Sequence, residues 1–423
     1  MGVQKSIYLQ DDMVKVAMEL EVHPLVKHRV RDQKPPYEEF VGSHWCRFGG
    51  SGAWLPNLNV YLVVSRVLYT ESASSWGPIS FIRGQIYDED WNILEGYTVY
   101  WNGDAITFPT TFDIPTVWWD GGILFGPEDP RIILESGVKC AEPIIIFNMI
   151  MDSQATRAMW IYRPFSNIAT VLTIRDEERR PMEKNWAPFF DSYNSGPNPS
   201  EHIHFIYSFA PLRILKCEIS TGYCDWVFKQ EIPEQSTLTH EDIRGEMRGG
   251  TNFVPVATVT ESVRVYAGFP RTNLRLCPSG STYRPELVLL CSIGSYFYIS
   301  YASDATVFGH AVLDQVAYSN PCGEGRIFIP NSIVRWDLSN KQDIMTVSVS
   351  VADQTVQILL LHGLAEIIHN LLSPDCQRYA TSQDDSYHWS LVGAEVIACS
   401  VGAAGHSSLT GIGAGNGDNL EEN

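Results

Sequence analysis

What most limits the fold of this chain is a strand-period pattern that recurs along most of its 423 residues, with almost no helical patterning. Stretches at 60–69, 79–87, 144–151, 158–162, 169–174, 202–209, 263–267, 287–301, 326–334 and 344–361 are rich in β-branched and aromatic residues. Turn clusters such as Asn102-Gly103-Asp104, Asn194-Ser195-Gly196-Pro197 and Pro321-Cys322-Gly323 lie between them. Helical spacing is confined to 365–372 and 12–20. A Rossmann-type nucleotide domain needs alternating strands and helices, so it is excluded. The chain is long for a single sandwich or barrel, and no Pro-rich linker splits its middle. An all-β propeller of about five or six blades, each of roughly 50–70 residues, uses this length best. No WD or kelch signature sets the blade number. Residues 1–40 are expected to form a separate N-terminal segment, 41–400 the propeller, and the Gly-rich, then acidic, 401–423 a disordered tail.

Hydrophobic residues at 44% and aromatic ones at 12% exclude a disordered chain. The net charge of −19, from Asp+Glu 49 against Lys+Arg 30, argues against gripping nucleic acid or an anionic membrane by bulk electrostatics. It leaves room for a small anionic substrate, because the charge is uneven. Residues 163–184 hold five basic and four acidic side chains, and 240–286 hold six Arg against five acids. No apolar run approaches the roughly 20 residues of a membrane-spanning helix. The nine cysteines form no CxxC or repeated zinc-ligand spacing, and their odd number leaves a free thiol. Cys217 and Cys224 are spaced to bridge a hairpin or to remain core thiols. With no permitted N-glycosylation acceptor, the residues alone point to a soluble cytoplasmic protein.

Three polar clusters carry candidate chemistry. In Gly126-Pro127-Glu128-Asp129-Pro130-Arg131-Ile132-Ile133, two carboxylates sit between prolines and precede a strand. Strand alternation puts Glu128 and Asp129 in different environments, with Asp129 and Arg131 sharing a face. That arrangement suits one acid/base and one supporting ion pair, or a structural salt bridge in a surface turn. The second cluster, Arg179-Arg180-Pro181-Met182-Glu183-Lys184-Asn185-Trp186, places donors Lys184 and Asn185 beside an aromatic plane. It fits sugar hydroxyls or phosphate, with Trp186 stacking, or equally a charged edge with a core Trp. In Arg244-Gly245-Glu246-Met247-Arg248-Gly249-Gly250-Thr251, paired glycines allow close approach to a ligand that Arg248 and Thr251 contact. Arg83 and Arg284, at strand-to-loop transitions, are more often structural. His202 and His204 share a strand face without an identifiable third metal ligand. Asp88-Glu89-Asp90 reads as a turn. A Walker loop, a Gly-x-Ser-x-Gly elbow and an HExxH motif are all missing.

Taken in order, Gly126-Pro127-Glu128-Asp129-Pro130-Arg131-Ile132, Glu183-Lys184-Asn185-Trp186-Ala187-Pro188-Phe189, Tyr207-Ser208 with Pro211, and Arg248-Gly249-Gly250-Thr251 resemble fungal β-1,2-mannosyltransferases. The first two elements also resemble β-mannoside phosphorylases and their hydrolase relatives, which are five-bladed propellers. The resemblance spans about residues 40–360 and implies an all-β, five-bladed propeller with few short helices. It implies transfer from GDP-mannose to a manno-oligosaccharide or mannan acceptor, with Asp129 as the catalytic residue. Glu128, Arg131, Arg83, Lys184, Asn185, Trp186, Arg248, Thr251 and Arg284 are the expected substrate contacts. Protein cations beside the diphosphate would make a cofactor unnecessary, while a divalent metal stays possible. A β-mannoside phosphorylase or hydrolase, or a non-catalytic carbohydrate-binding propeller, are the alternatives. The resemblance also brings in the Golgi lumen as a location, should an N-terminal anchor precede this chain.

Overall fold

A computed structural model describes residues 2–27, 37–71, 78–119, 122, 124–139, 141–191, 198–231, 246–260, 263–277, 280–306, 308, 312, 322–323, 326–338, 343–372, 396–397 and 400. Five sheets surround one axis as the blades of a propeller. The first blade contains, from the axis outwards, Trp45–Leu55, Val60–Tyr69, Ile79–Tyr87 and Thr110–Thr111. In the second these are Glu128–Ile133, Ile144–Ile150, Arg157–Arg163 and Ile168–Val171, and in the third Ala187–Phe189, His202–Phe209, Leu212–Glu218 and Tyr223–Lys229. The fourth contains Val254–Thr260, Val263–Gly268, Gly280–Ile293 and Tyr296–Ala305, and Arg271–Cys277 pairs with the first half of its long third strand. The fifth contains Phe328–Asp337, Ile344–Val351 and Gln357–His362, and its outermost strand is Gly2–Tyr8 from the other end of the chain.

That last pairing corrects the expectation of a separate N-terminal segment. A ring of blades has one open seam, and Gly2–Tyr8 closes it by hydrogen bonding along Gln357–His362. The expected single strands at 287–301 and 344–361 are each two strands around a turn, at Gly294 (φ 60°) and at Ala352-Asp353 (φ 56° and 54°). Helix Met13–Leu20 appears where expected, with Asp12 as its N-cap accepting from the Val14 and Lys15 amides. Helix Tyr37–His44 was not foreseen, since it buries only Val41. The tail at 401–423 and the Arg244 end of the third cluster lie outside the described residues.

Stacked blades explain why the strands read as near-continuous apolar runs. Side chains alternate between two faces, and here each face meets a neighbouring blade. Ile145 and Phe147 pack towards Val64 and Ile82 of the first blade, whereas Ile146 packs towards Phe205 and Leu215 of the third. Val288 and Leu290 face Ile206 and Ile214, whereas Leu289 and Cys291 face Val347 and Leu359. The fifth interface sets Val334 and Ile358 against Tyr61 and Val63.

Where the inner strands converge, direct hydrogen bonds tie neighbouring blades together. Ser332 Oγ accepts from the Gly52 amide (2.8 Å), Ser51 Oγ accepts from the Ile132 amide (2.9 Å), and the Asn252 amide side chain bonds both backbone groups of Ile333 (2.9 and 3.2 Å). This waist lies between the two ends of the inner strands.

Candidate active site

At the end where the inner strands begin, every blade places left-handed backbone: Gly49 (φ 64°), Asp129 (54°), Asn185 (64°), Gly249 and Gly250 (40° and 100°), and Ala352 and Asp353. In the second blade the ladder shifts register between Glu128 and Arg131. Pro130 has no amide hydrogen to give the ladder, so a bulge forms there. The bulge sends the two carboxylates apart. Glu128 turns inwards, with Oε2 2.9 Å from Arg157 Nη1 and 3.6 Å from Arg66 Nη2. Asp129 turns into the funnel, where its side chain remains 42% exposed and Oδ1 lies 3.8 Å from Arg66 Nη1. Different environments for the two acids were expected, but a bulge creates them instead of strand alternation. The bulge also overturns the Asp129–Arg131 ion pair. Arg131 donates through Nε to the Gly250 carbonyl and through Nη1 to the Pro130 carbonyl, both at 2.8 Å.

The electrostatics centre on Asp129. Enclosure raises its pKa, but the charges of Arg66, Arg131, Arg271 and Lys184 outweigh this and hold it below the ordinary carboxylate value. Asp353 moves the opposite way. Enclosure and the nearby charge of Asp129 raise it, against the pull of Arg66, Arg271 and Arg131. Burial and then Arg271 bring Arg131 down to about 10. Burial, followed by Arg157 and Arg271, lowers Lys184, with Asp129 opposing. Arg271 is buried, its guanidinium 5.1 Å from the Tyr283 ring centre, and its Nη2 donates to Asn185 Oδ1 at 3.1 Å. Its Nη1 has no hydrogen-bond partner. The funnel thus gathers Arg66, Arg131, Arg157, Arg271 and Lys184 around Glu128, Asp129 and Asp353.

Of the expected site residues, the structure brings Glu128, Asp129, Arg131, Lys184 and Asn185 together. Arg83 is a correction: it is buried at the seam, its Nε 3.1 Å from Asp11 and its Nη1 2.7 Å from Glu19. Trp186 is core, packed on Phe205 and Tyr207, which leaves it no open face for a sugar. Thr251 is fully buried, and its hydroxyl donates to the Asn252 carbonyl and accepts from the Phe269 amide. Arg248 pairs in register with Arg271 but forms its ion pair with Glu246. Arg284 donates to the carbonyls of Tyr283 and Arg326.

Sequence reasoning missed Arg66, Arg157, Arg271 and Asp353. Arg66 carried a signal, a lone cation inside the apolar run Val63-Val64-Ser65-Arg66-Val67-Leu68. His204 packs on Phe189, and burial lowers its pKa to about 3. Asp88 accepts from the Asp90 and Asn92 amides, which makes its acidic run the expected turn. Among the described residues no group of three or more His, Cys, Asp or Glu could hold a metal ion, and no helix is long and apolar enough to cross a membrane. Cys217 and Cys224 form a disulfide across their hairpin, whereas Cys46 is a free thiol.

The family model described as "Beta-mannosyltransferases" matches residues 7–159 and 159–405. This chain belongs to the beta-mannosyltransferase family. Beta-mannosyltransferase 2 of Komagataella phaffii is 34% identical over 84% of this chain and 56% of its own length. Beta-mannosyltransferase 3 of Candida albicans is 31% identical over 82% of this chain and 64% of its length. The chain therefore spans little more than half the length of the curated relatives it matches. A beta-1,2-mannobiose phosphorylase from Listeria innocua, solved with beta-1,2-mannobiose, shares 12% identity over 86% of this chain and 99% of that one, at a TM-score of 0.45. A GDP-Man-dependent mannosyltransferase from Leishmania mexicana shares 11% identity over 76% and 86%, at 0.39. Likenesses this remote add nothing to the geometry above. Within the family assignment, the Glu128-Asp129-Pro130-Arg131 bulge and its cations are the polar centre that the propeller builds.

Proposed function

We propose that this beta-mannosyltransferase propeller moves mannose, with inversion, from GDP-mannose to a manno-oligosaccharide or mannan acceptor, forming a β-1,2 linkage. The observation that carries this reading is one ionised carboxylate, Asp129, facing four cations in an enclosed funnel. A cation-rich pocket in a protein of net charge −19 favours an anionic donor locally. Asp129 takes the proton of the acceptor hydroxyl as that oxygen attacks the anomeric carbon. The bond to the diphosphate breaks, its electron pair leaves with GDP, and Arg66, Arg131, Arg271 and Lys184 offset the developing charge. Asp353, whose pKa enclosure and the charge of Asp129 raise, hydrogen-bonds sugar hydroxyls. Glu128 holds Arg66 and Arg157 in position, and Asn185 holds Arg271. The Cys217–Cys224 disulfide supports an oxidising lumen, such as the Golgi, over the cytoplasm that the residues alone suggested.

The test is incubation with GDP-mannose and manno-oligosaccharide acceptors, with GDP release and product linkage read by NMR. A parallel incubation with β-1,2-mannobiose and phosphate tests the phosphorylase alternative. GDP release with a new β-linked mannose is expected. Mannose 1-phosphate formation without GDP turnover overturns the transferase reading in favour of phosphorolysis.

A further inference from the structure

Beyond this waist, at the end of the axis opposite Asp129, the inner strands line a cavity of about 520 Å³. Its walls include Trp54, Phe190, Phe253, Arg335, Trp336 and Asp337. A smaller compartment of about 210 Å³ shares the walls Glu135 and Phe190 and reaches Arg163 of the second blade and Trp101, which lies on a hairpin (Tyr97–Trp101 and Asp104–Phe108) inserted in the first. The larger volume falls within the usual range for small-ligand pockets, about 300–1,000 Å³.

The chemistry of these walls differs from that of the funnel. Arg335 lies over the Trp54 ring, 4.5 Å from its centre, and also pairs with Asp337 (3.3 Å) and Glu89 (3.7 Å). A guanidinium beside a carboxylate offers donor and acceptor together, which matches the vicinal hydroxyls of a pyranose. Trp336, half-buried in the cavity wall, supplies apolar surface for its C–H face, while Arg335 covers the Trp54 ring. Glu135 is occupied by the Ser200 amide and hydroxyl, so it contributes negative charge without being available as an ion-pair partner. Glu89, Glu135 and Asp337 outnumber Arg335 around the larger cavity, which disfavours an anion. A sugar nucleotide therefore fits the funnel and not this end.

We infer that the cavity opposite the funnel is an accessory carbohydrate site that binds a neutral oligosaccharide. It stands whichever reaction the funnel performs. For a polymeric acceptor it would raise the effective concentration of chain ends near the enzyme without touching the chemistry.

The experiment titrates the protein with β-1,2-mannotetraose, following ligand saturation-transfer NMR and calorimetry, with cellotetraose as a second neutral probe and GDP as an anionic one. Two variants probe the cavity. Trp54→Ala removes the ring that holds Arg335 against the cavity, and Ser136→Trp fills the exposed rim without disturbing the core. Each is expected to weaken one of two tetraose binding events by about ten-fold or more, corresponding to about 1.4 kcal/mol. Transfer to a short acceptor and GDP affinity should stay unchanged. Tetraose affinity within two-fold of wild type in the Ser136→Trp protein, a single binding event lost in a funnel variant such as Arg271→Ala, or GDP binding weakened by Ser136→Trp would each overturn the inference. Loss of GDP turnover in wild type with the second tetraose event intact would count against the proposed transferase and leave this site standing.

Discussion

Asp11→Asn tests whether Arg83 belongs to the seam or to the substrate. Asp11 lies between two buried guanidiniums, Oδ2 being 3.1 Å from Arg83 Nε and 3.8 Å from Arg47 Nε, and the three side chains are 6%, 2% and 5% exposed. Asp11 follows the strand that closes the propeller, so this pair fastens the fifth blade to the first. Removing the Asp11 charge leaves the buried Arg47 without an ion-pair partner, while Arg83 keeps Glu19, and a buried cation left uncompensated costs about 3–5 kcal/mol. With about 2.1 cal/mol/K of unfolding entropy per residue, a propeller of about 400 residues has about 0.8 kcal/mol/K in total. The melting midpoint of Asp11→Asn should therefore fall by about 4–6 °C, measured by calorimetry. Arg83→Met should behave similarly, and the double variant should recover part of the loss, with a coupling of about 1–3 kcal/mol. At temperatures where Arg83→Met is folded, its KM for GDP-mannose should match wild type. An Arg83→Met protein that melts like wild type but binds donor ten-fold more weakly would refute this reasoning and return Arg83 to the site.

Asp129→Asn should lower transfer by about 10²–10⁴-fold while GDP affinity is kept or increased, since a negative charge leaves a cationic cluster; equilibrium dialysis separates the two effects. His204 makes stability pH-dependent: the folded ring has a pKa of about 3 against an ordinary value of 6.5. The unfolded chain therefore binds the extra proton first, and stability falls as pH drops from about 6.5 towards 3, by about 2 kcal/mol at pH 5. His204→Phe should remove most of that difference in urea unfolding at pH 7.5 and 5.0. Replacing Cys217 and Cys224 by Ser opens a short hairpin loop and should cost about 2–2.5 kcal/mol, seen as a lower urea midpoint with unchanged slope. Gly250→Ala should destabilise by more than about 1–3 kcal/mol, because φ is 100° there and a Cβ would run into the Phe269 carbonyl.

Blade strands were legible because being buried on both faces leaves an unusual mark. Ile144-Ile145-Ile146-Phe147 has no polar face, and in a chain without helices between strands only stacked sheets bury both sides. The closure was not legible, since Gly2–Tyr8 reads as a weak polar strand whose partner lies some 350 residues away. For the site, spacing revealed residues adjacent in sequence, such as Glu128 with Asp129 and Lys184 with Asn185. It could not reveal Arg66, Arg271 and Asp353, which reach Asp129 from the first, fourth and fifth blades. Trp186 and Thr251 misled for the opposite reason: their motif neighbours face the funnel, and strand alternation and burial turn these two away from it.

The recurrence of left-handed backbone at one end of the axis gives the motifs a common physical meaning. Asn59, Asn102 and Asn167 take positive φ at hairpin turns, where such geometry is ordinary. Asp129 does so at the head of an inner strand, inside a bulge, which is costly for a residue with a Cβ. Gly49 marks a second register shift at the same height in the first blade. Gly249 and Gly250 do so before the fourth, where the Gly250 carbonyl accepts from Arg131. Regular strands would point alternate side chains into the interfaces between blades, where a carboxylate or guanidinium cannot be hydrated. Breaking the ladder at the entries of the first and second blades frees a side chain or a carbonyl to face the axis. The short motifs are therefore places where blades depart from regular strand, and the strand-borne cations Arg66, Arg157 and Arg271 complete the site around them.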